Sequence, residues 1–162
     1  MADARKEQLA EMVFQALTAH LSKIGIRKFD TKRDGDDYVI DFIVNGDDLP
    51  MHFYLIVDTG RQILRMISPL PVQFGEDQIR DGAVALCAVN RRIVNGRFDM
   101  NVRNGKVAFS VCTSFAESLI ADRVYEYLVS ISVNTVDDYN DKLEMLAKNM
   151  CSLEDLLEQL EV

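Results

Sequence analysis

The sequence predicts an α+β fold, an antiparallel sheet with flanking helices in the order α-β-β-β-β-α-β-β-α, with a further C-terminal helix. Three observations carry this. Leu9, Met12, Val13, Ala16, Leu17, Leu21 and Ile24 recur at helical spacing near the start. A series of short apolar runs follows, cut by Gly- and Asp-containing turns. Further on, Gly96-Arg97-Phe98 opens a run to Cys112 that is split by Asn104-Gly105, the strongest short hairpin signal.

Taken in order, the first helix covers about residues 5–24 and stops at Gly25. Strands are expected over residues 28–33, 38–45, 51–57 and 62–68, joined at Asp34-Gly35-Asp36, Gly46-Asp47-Asp48 and Thr59-Gly60, with Pro69 and Pro71 ending the run. A second helix over about residues 76–94 carries Ile79, Leu86, Val89 and Ile93. Gly82, Ala83, Ala85 and Ala88 keep it thin, and Arg91 and Arg92 complement its C-terminal dipole. With a two-residue loop at Asn104-Gly105, Phe98 faces Val111, Met100 faces Phe109 and Val102 faces Val107, all on one face. Ser114-Phe115-Ala116-Glu117 reads as a capping box for a third helix, with a break near Asn134 where Thr135 to Asp138 cap a new segment. Ser152-Leu153-Glu154-Asp155 caps a short amphipathic tail. Residues 1–162 thus form a single domain with a helical tail from about residue 135.

Size and charge exclude several classes. A 162-residue chain buries roughly 68–70% of its unfolded surface, enough for a core without disulfides or metals. A net charge of −8 and a pI near 4.7 oppose nucleic-acid binding, which needs a basic footprint. No run is apolar enough to cross a membrane, and Cys87, Cys112 and Cys151 match neither a disulfide framework nor a zinc pattern. Reduced, mostly buried thiols and a cytoplasmic location are therefore expected. His20 and His52 lack a catalytic companion at motif spacing. Asp30, Asp34, Gly35 and Asp41 overlay part of a calcium loop, but Lys32 stands at a ligand position. No catalytic residue, metal or cofactor is expected, and the chain is not read as an enzyme.

The strands hold a further clue. Tyr38, Ile40, Phe42 and Val44 form one face, yet Val39 and Ile43 on the other are also apolar. The same holds for Tyr54 and Ile56 opposite Met51, Phe53, Leu55 and Val57. A sheet with one wet face should alternate cleanly, so the second face calls for a cover, either a helix or a second subunit. A homodimer is expected, held by that face or by the second helix. Charge is also uneven: residues 86–106 carry five cations against Asp99, while residues 137–162 carry eight carboxylates against two lysines. Solvated faces are the default explanation; the alternatives are that the two groups meet, within a subunit or across a dimer, or that the basic group receives an acidic partner segment. The candidate partner surface combines Arg91, Arg92 and Arg97 with Tyr54 and Ile56.

The element order resembles the type III secretion chaperone-like fold. Residues 90–111 resemble the bacterial YbjN-domain family through Asn90-Arg91, Gly96-Arg97-Phe98, Asn104-Gly105 and Val107-Ala108-Phe109. Tyr139, Leu143 and Leu146, with Ser152-Leu153-Glu154, resemble that family's C-terminal end. The resemblance implies a cytosolic α+β homodimer without known enzymatic activity, either chaperone-like or a regulator of sensory transduction. A fourth strand before the second helix and a separate C-terminal helix depart from that pattern. The expected function is a non-enzymatic, chaperone-like module that holds a protein or peptide client. The alternative is a signalling regulator that binds a small ligand between sheet and helices.

Overall fold

The computed structural model describes residues 2–161. Helix α1 (Ala2–Lys23) precedes four strands, β1 (Phe29–Asp34), β2 (Asp37–Asn45), β3 (Pro50–Asp58) and β4 (Ile63–Gln73). A 3-10 turn (Glu76–Gln78) leads into α2 (Ile79–Arg92), then β5 (Arg97–Asn101), β6 (Lys106–Ser114), α3 (Asp122–Ala147) and α4 (Leu153–Gln159). All neighbouring strands run antiparallel, in the order β1-β2-β3-β4-β6-β5.

The core lies on one side of the sheet, where Ile40, Phe42, Phe53, Leu55, Leu64, Met66, Phe109 and Val111 meet the helices. Helix α1 contributes Val13, Leu17 and Leu21, α2 gives Ala85 and Val89, and α3 gives Tyr125, Leu128 and Leu143. Their apolar stripes drive the assembly, since burying one such side chain stabilises by about 1.5–3 kcal/mol. Glu7 fastens α1 to the sheet by accepting from Arg33 (2.9 Å) and the Tyr38 hydroxyl (3.1 Å). Gly82 lets α2 press on the Phe74 ring, where a Cβ would come within 2.8 Å.

Four expectations are corrected. The β5–β6 loop has four residues rather than two: Phe98 pairs with Phe109, Met100 with Val107 and Asn101 with Lys106. Asn101 starts a helical turn, its carbonyl accepting from the Asn104 and Gly105 N–H groups (3.1 and 2.7 Å). Gly105 closes the turn at φ +69°. The slip is two residues, so the paired side chains keep their faces, and Val102 and Arg103 leave the sheet.

Strand β4 continues through Pro69 and Pro71 to Gln73, with Leu70 and Val72 buried. Its pairing with β3 stops at Ile67, so the later residues are an edge on that side, where missing N–H donors cost nothing. Ser114 caps no helix. Phe115 behind it is fully buried and its N–H donates to the Gln62 carbonyl (2.9 Å), which holds residues 115–121 out of helical geometry. Helix α3 then runs unbroken past Asn134, because Thr135 and Val136 are buried in its packed face. The Asp137 carboxylate is engaged elsewhere, accepting from the Asp47 N–H in the β2–β3 turn (3.0 Å). The expected cap at Ser152 is present: its hydroxyl accepts from the Asp155 N–H and the Asp155 carboxylate accepts from the Ser152 N–H.

The cysteines also differ from expectation. They are free, but Cys87 and Cys112 are exposed and Cys151 is half-buried. Cys87 lies on the solvent side of α2, and Cys112 lies on the face of β6 that turns away from the helices.

Candidate functional site: the open face of the sheet

Period-two alternation sends half of each strand's side chains away from the core, and no helix covers them among the described residues. Cross-strand register arranges them in rows. One row is Lys32, Val39, Ile56, Arg65 and Cys112; the next is Asp30, Asp41, Tyr54, Ile67, Ser110 and Arg97. Ile43 and His52 form the start of a third. Val39, Ile56, Tyr54 and Ile67 make a contiguous apolar strip over three central strands. Val39 is only 6% exposed although it lies outside the main core, so the strip buries part of itself.

Charges on this face are largely paired. His52 contacts the Asp41 carboxylate and its ring lies 4.5 Å from that of Tyr54. Arg97 donates through Nε to both oxygens of Asp99 (3.1 and 3.0 Å), and the Ser110 hydroxyl donates to the same carboxylate (3.2 Å). At the β3–β4 turn, Asp58 accepts from the Arg61 N–H (2.8 Å) and guanidinium (2.9 Å), with Arg65 at 4.0 Å. Burial works against the Asp58 charge, but the Arg61 hydrogen bonds and the two guanidinium charges outweigh it and hold the carboxyl below its ordinary range. A groove of about 380 Å³ lies between these groups, lined by Arg65, Ile67, Arg97, Ala108 and Cys112.

Of the residues singled out in the sequence, Tyr54, Ile56 and Arg97 therefore share one face. Arg91 and Arg92 do not join them, since they end α2 in the helical layer. The Arg92 guanidinium donates to the Leu160 carbonyl at the end of α4, so one member of the basic group is tied to the C-terminal tail through a main-chain carbonyl. Arg65 and the His52–Asp41 pair were missed. The alternation of β2, β3 and β4 already put them on the second face, but their pairing depends on register. Asn90 holds the fold together: its amide accepts from the Phe98 N–H (2.8 Å) and donates to the Phe98 carbonyl (2.9 Å), clasping α2 to β5. Gly96 beside it sits at φ +88° over the Phe109 ring. Among the described residues no group of three His, Cys, Asp or Glu side chains is placed to hold a metal ion. Among the same residues, no helix is long and apolar enough to cross a membrane.

No protein-family model and no curated protein matches this chain. Among solved structures, a chain in the crystal structure of the ExsC–ExsE complex is similar, with a TM-score of 0.58 at 16% identity over 84% of this chain and 96% of that one. The fold is shared. The secretion-chaperone-like α+β architecture expected from the sequence is the one observed, with its six-stranded antiparallel sheet and one-sided helical layer. At this identity the likeness concerns the fold alone.

Proposed function

We propose that this protein is a non-enzymatic, chaperone-like binding module that lays a segment of a client protein along the open face of its sheet. The carrying observation is that face itself, an apolar strip of Val39, Tyr54, Ile56 and Ile67 that no helix covers among the described residues. Such patches are unusual on proteins that act alone, and a desolvated aromatic or aliphatic centre with a polar rim is the ordinary form of a recognition surface. Tyr54 and Ile56 form the centre in this reading, with Arg97 and its Asp99 partner at the rim. A homodimer in the cytoplasm of a bacterium, of the YbjN kind, is part of the proposal. Its support is the resemblance over residues 90–111, whose Asn90 and Gly96 build the α2–β5 joint. The ExsC–ExsE structure is a complex of two proteins, which favours a polypeptide client over a small ligand. The space between sheet and helices, where the alternative reading would seat a ligand, is filled by packed side chains.

The test is affinity capture from native lysate with the wild type, with Tyr54→Glu/Ile56→Glu, and with Arg91→Glu/Arg92→Glu. A polypeptide retained by the wild type and the arginine variant, but lost by the Tyr54/Ile56 variant with its fold intact, is the expected result. A co-purifying metabolite with no differential polypeptide would favour the regulator instead.

A further inference from the structure

We propose that the groove between the α1–β1 connection and the far end of β2 takes an acidic, leucine-bearing stretch of that same client, an inference that rests on the open-face reading. Within the chain's net charge of −8, residues 23–28 hold Lys23, Arg27 and Lys28 and no carboxylate. Among the described residues, no Asp or Glu lies within ion-pair distance of any of the three. Near β5, Arg97 is neutralised by Asp99 and Arg92 is engaged at Leu160, whereas Arg103 and Lys106 at the β5–β6 turn also have no ion pair among the described residues and serve as a comparison. Arg27 and Lys28 line a groove of about 400 Å³ whose other wall is Ile43, Val44 and Asn45.

The apolar part of the groove is equally unusual. Ile43 is 62% exposed and Ile24, next to the basic cluster, is 41% exposed. Ile43 projects from the open face beside His52, so the groove continues the apolar strip toward the exposed guanidinium of Arg27 and ammonium of Lys28. A segment leaving Tyr54 along that face reaches Ile43 and then two unpaired cations. Carboxylates beside an aliphatic side chain are the chemistry that satisfies both. Unpaired cations at a rim act mainly through attraction and encounter, so salt should weaken the contact.

The experiment uses a fluorescein-labelled peptide of alternating leucine and glutamate, with two relatives in which lysine replaces glutamate or serine replaces leucine. Anisotropy should report binding of the Leu/Glu peptide alone, weakened by salt. Arg27→Glu/Lys28→Glu should weaken it by about tenfold or more, while Arg103→Glu/Lys106→Glu at the β5–β6 turn should change it less than about twofold. Arg27→Gln/Lys28→Gln, which cannot repel, should give an intermediate loss, and thermal unfolding checks that each variant folds. Equal binding of the lysine peptide, no binding by the wild type, or indifference to Arg27 and Lys28 overturns the proposal. So does a site that instead takes phosphatidylserine vesicles or single-stranded RNA. These outcomes leave client capture through Tyr54 and Ile56 standing; failure of that reading appears separately, as retention of the client by Tyr54→Glu/Ile56→Glu.

Discussion

Asp58 is a residue whose environment changes its chemistry. Its side chain is 5% exposed and accepts from both the backbone and the guanidinium of Arg61, which closes the β3–β4 turn. A carboxyl held below its ordinary value contributes stability that is present above its unfolded pKa, near 3.9, and lost as pH falls through the lower folded value. Asp58→Asn should therefore cost about 1–3 kcal/mol at pH 7, and the difference from wild type should shrink below about pH 4. Urea unfolding at several pH values measures this; a pH-independent difference would show that the charge is not what the turn uses. Gly105 is the second such position. A side chain there faces a φ of +69° and a collision with the Phe74 carbonyl, whereas Gly35 has φ +61° with open space around it. Gly105→Val should lower stability by about 2 kcal/mol or more, and Gly35→Asn by less than about 1 kcal/mol. Equal unfolding midpoints for the two variants would mean that the contact with Phe74 carries no weight.

At the scale of elements, the joint between α2 and β5 is held by one side chain. The Asn90 amide satisfies both backbone groups of Phe98, and Phe98 packs edge-on against Phe109 and Tyr139. Asn90→Ala leaves a donor and an acceptor without partners and should cost about 1–3 kcal/mol. Exchange of the Phe98 amide hydrogen should quicken in that variant. Asn90→Asp keeps the acceptor for the Phe98 N–H and should retain more protection than Ala; equal loss in both would contradict this account. The hairpin that follows was legible in kind and face, since Gly105 and the alternation from Phe98 to Val111 are local signals. Its loop length was not, because the Phe74 N–H donates to the Gly105 carbonyl (3.0 Å) from another part of the chain.

At the scale of the molecule, one side of the sheet is packed with helices and the other is open. The C-terminal helices do not supply the missing cover, since α4 packs on α2 and α3 rather than on the sheet's second face. In the proposed function a client or a second copy buries it, and removing its apolar surface from water would favour that association. The proposed dimer should sediment as such at micromolar concentration. If the open face holds it, Tyr54→Glu/Ile56→Glu should yield monomers, and a dimer that survives those changes uses α2 and leaves the face to the client. Monomers of wild-type protein at high concentration would remove the dimer from the proposal.

The amino-acid sequence by itself determined the order of elements, which side chains share a face, and the apolar character of the second face. Periods of 2 and 3.6, turn residues and the Ser152 cap act over a few residues and need no tertiary context. That Tyr54 and Ile56 lie on the second face could be read from that pattern, but that Arg97 joins them while Arg91 and Arg92 lie in the helical layer could not. Tertiary structure decided the rest. Whether Asp137 caps a new helix or bonds the Asp47 N–H 90 residues away, and whether Ser114 opens a helix or ends a strand beside a buried Phe115, are contests between local preference and distant burial, and burial won both. The same holds for charge. The sequence left open whether Arg92 and Arg97 face a partner or the chain itself, and folding brought the Leu160 carbonyl to one and aligned Asp99 with the other, while Arg27 and Lys28 stayed unpaired because no carboxylate was folded against them.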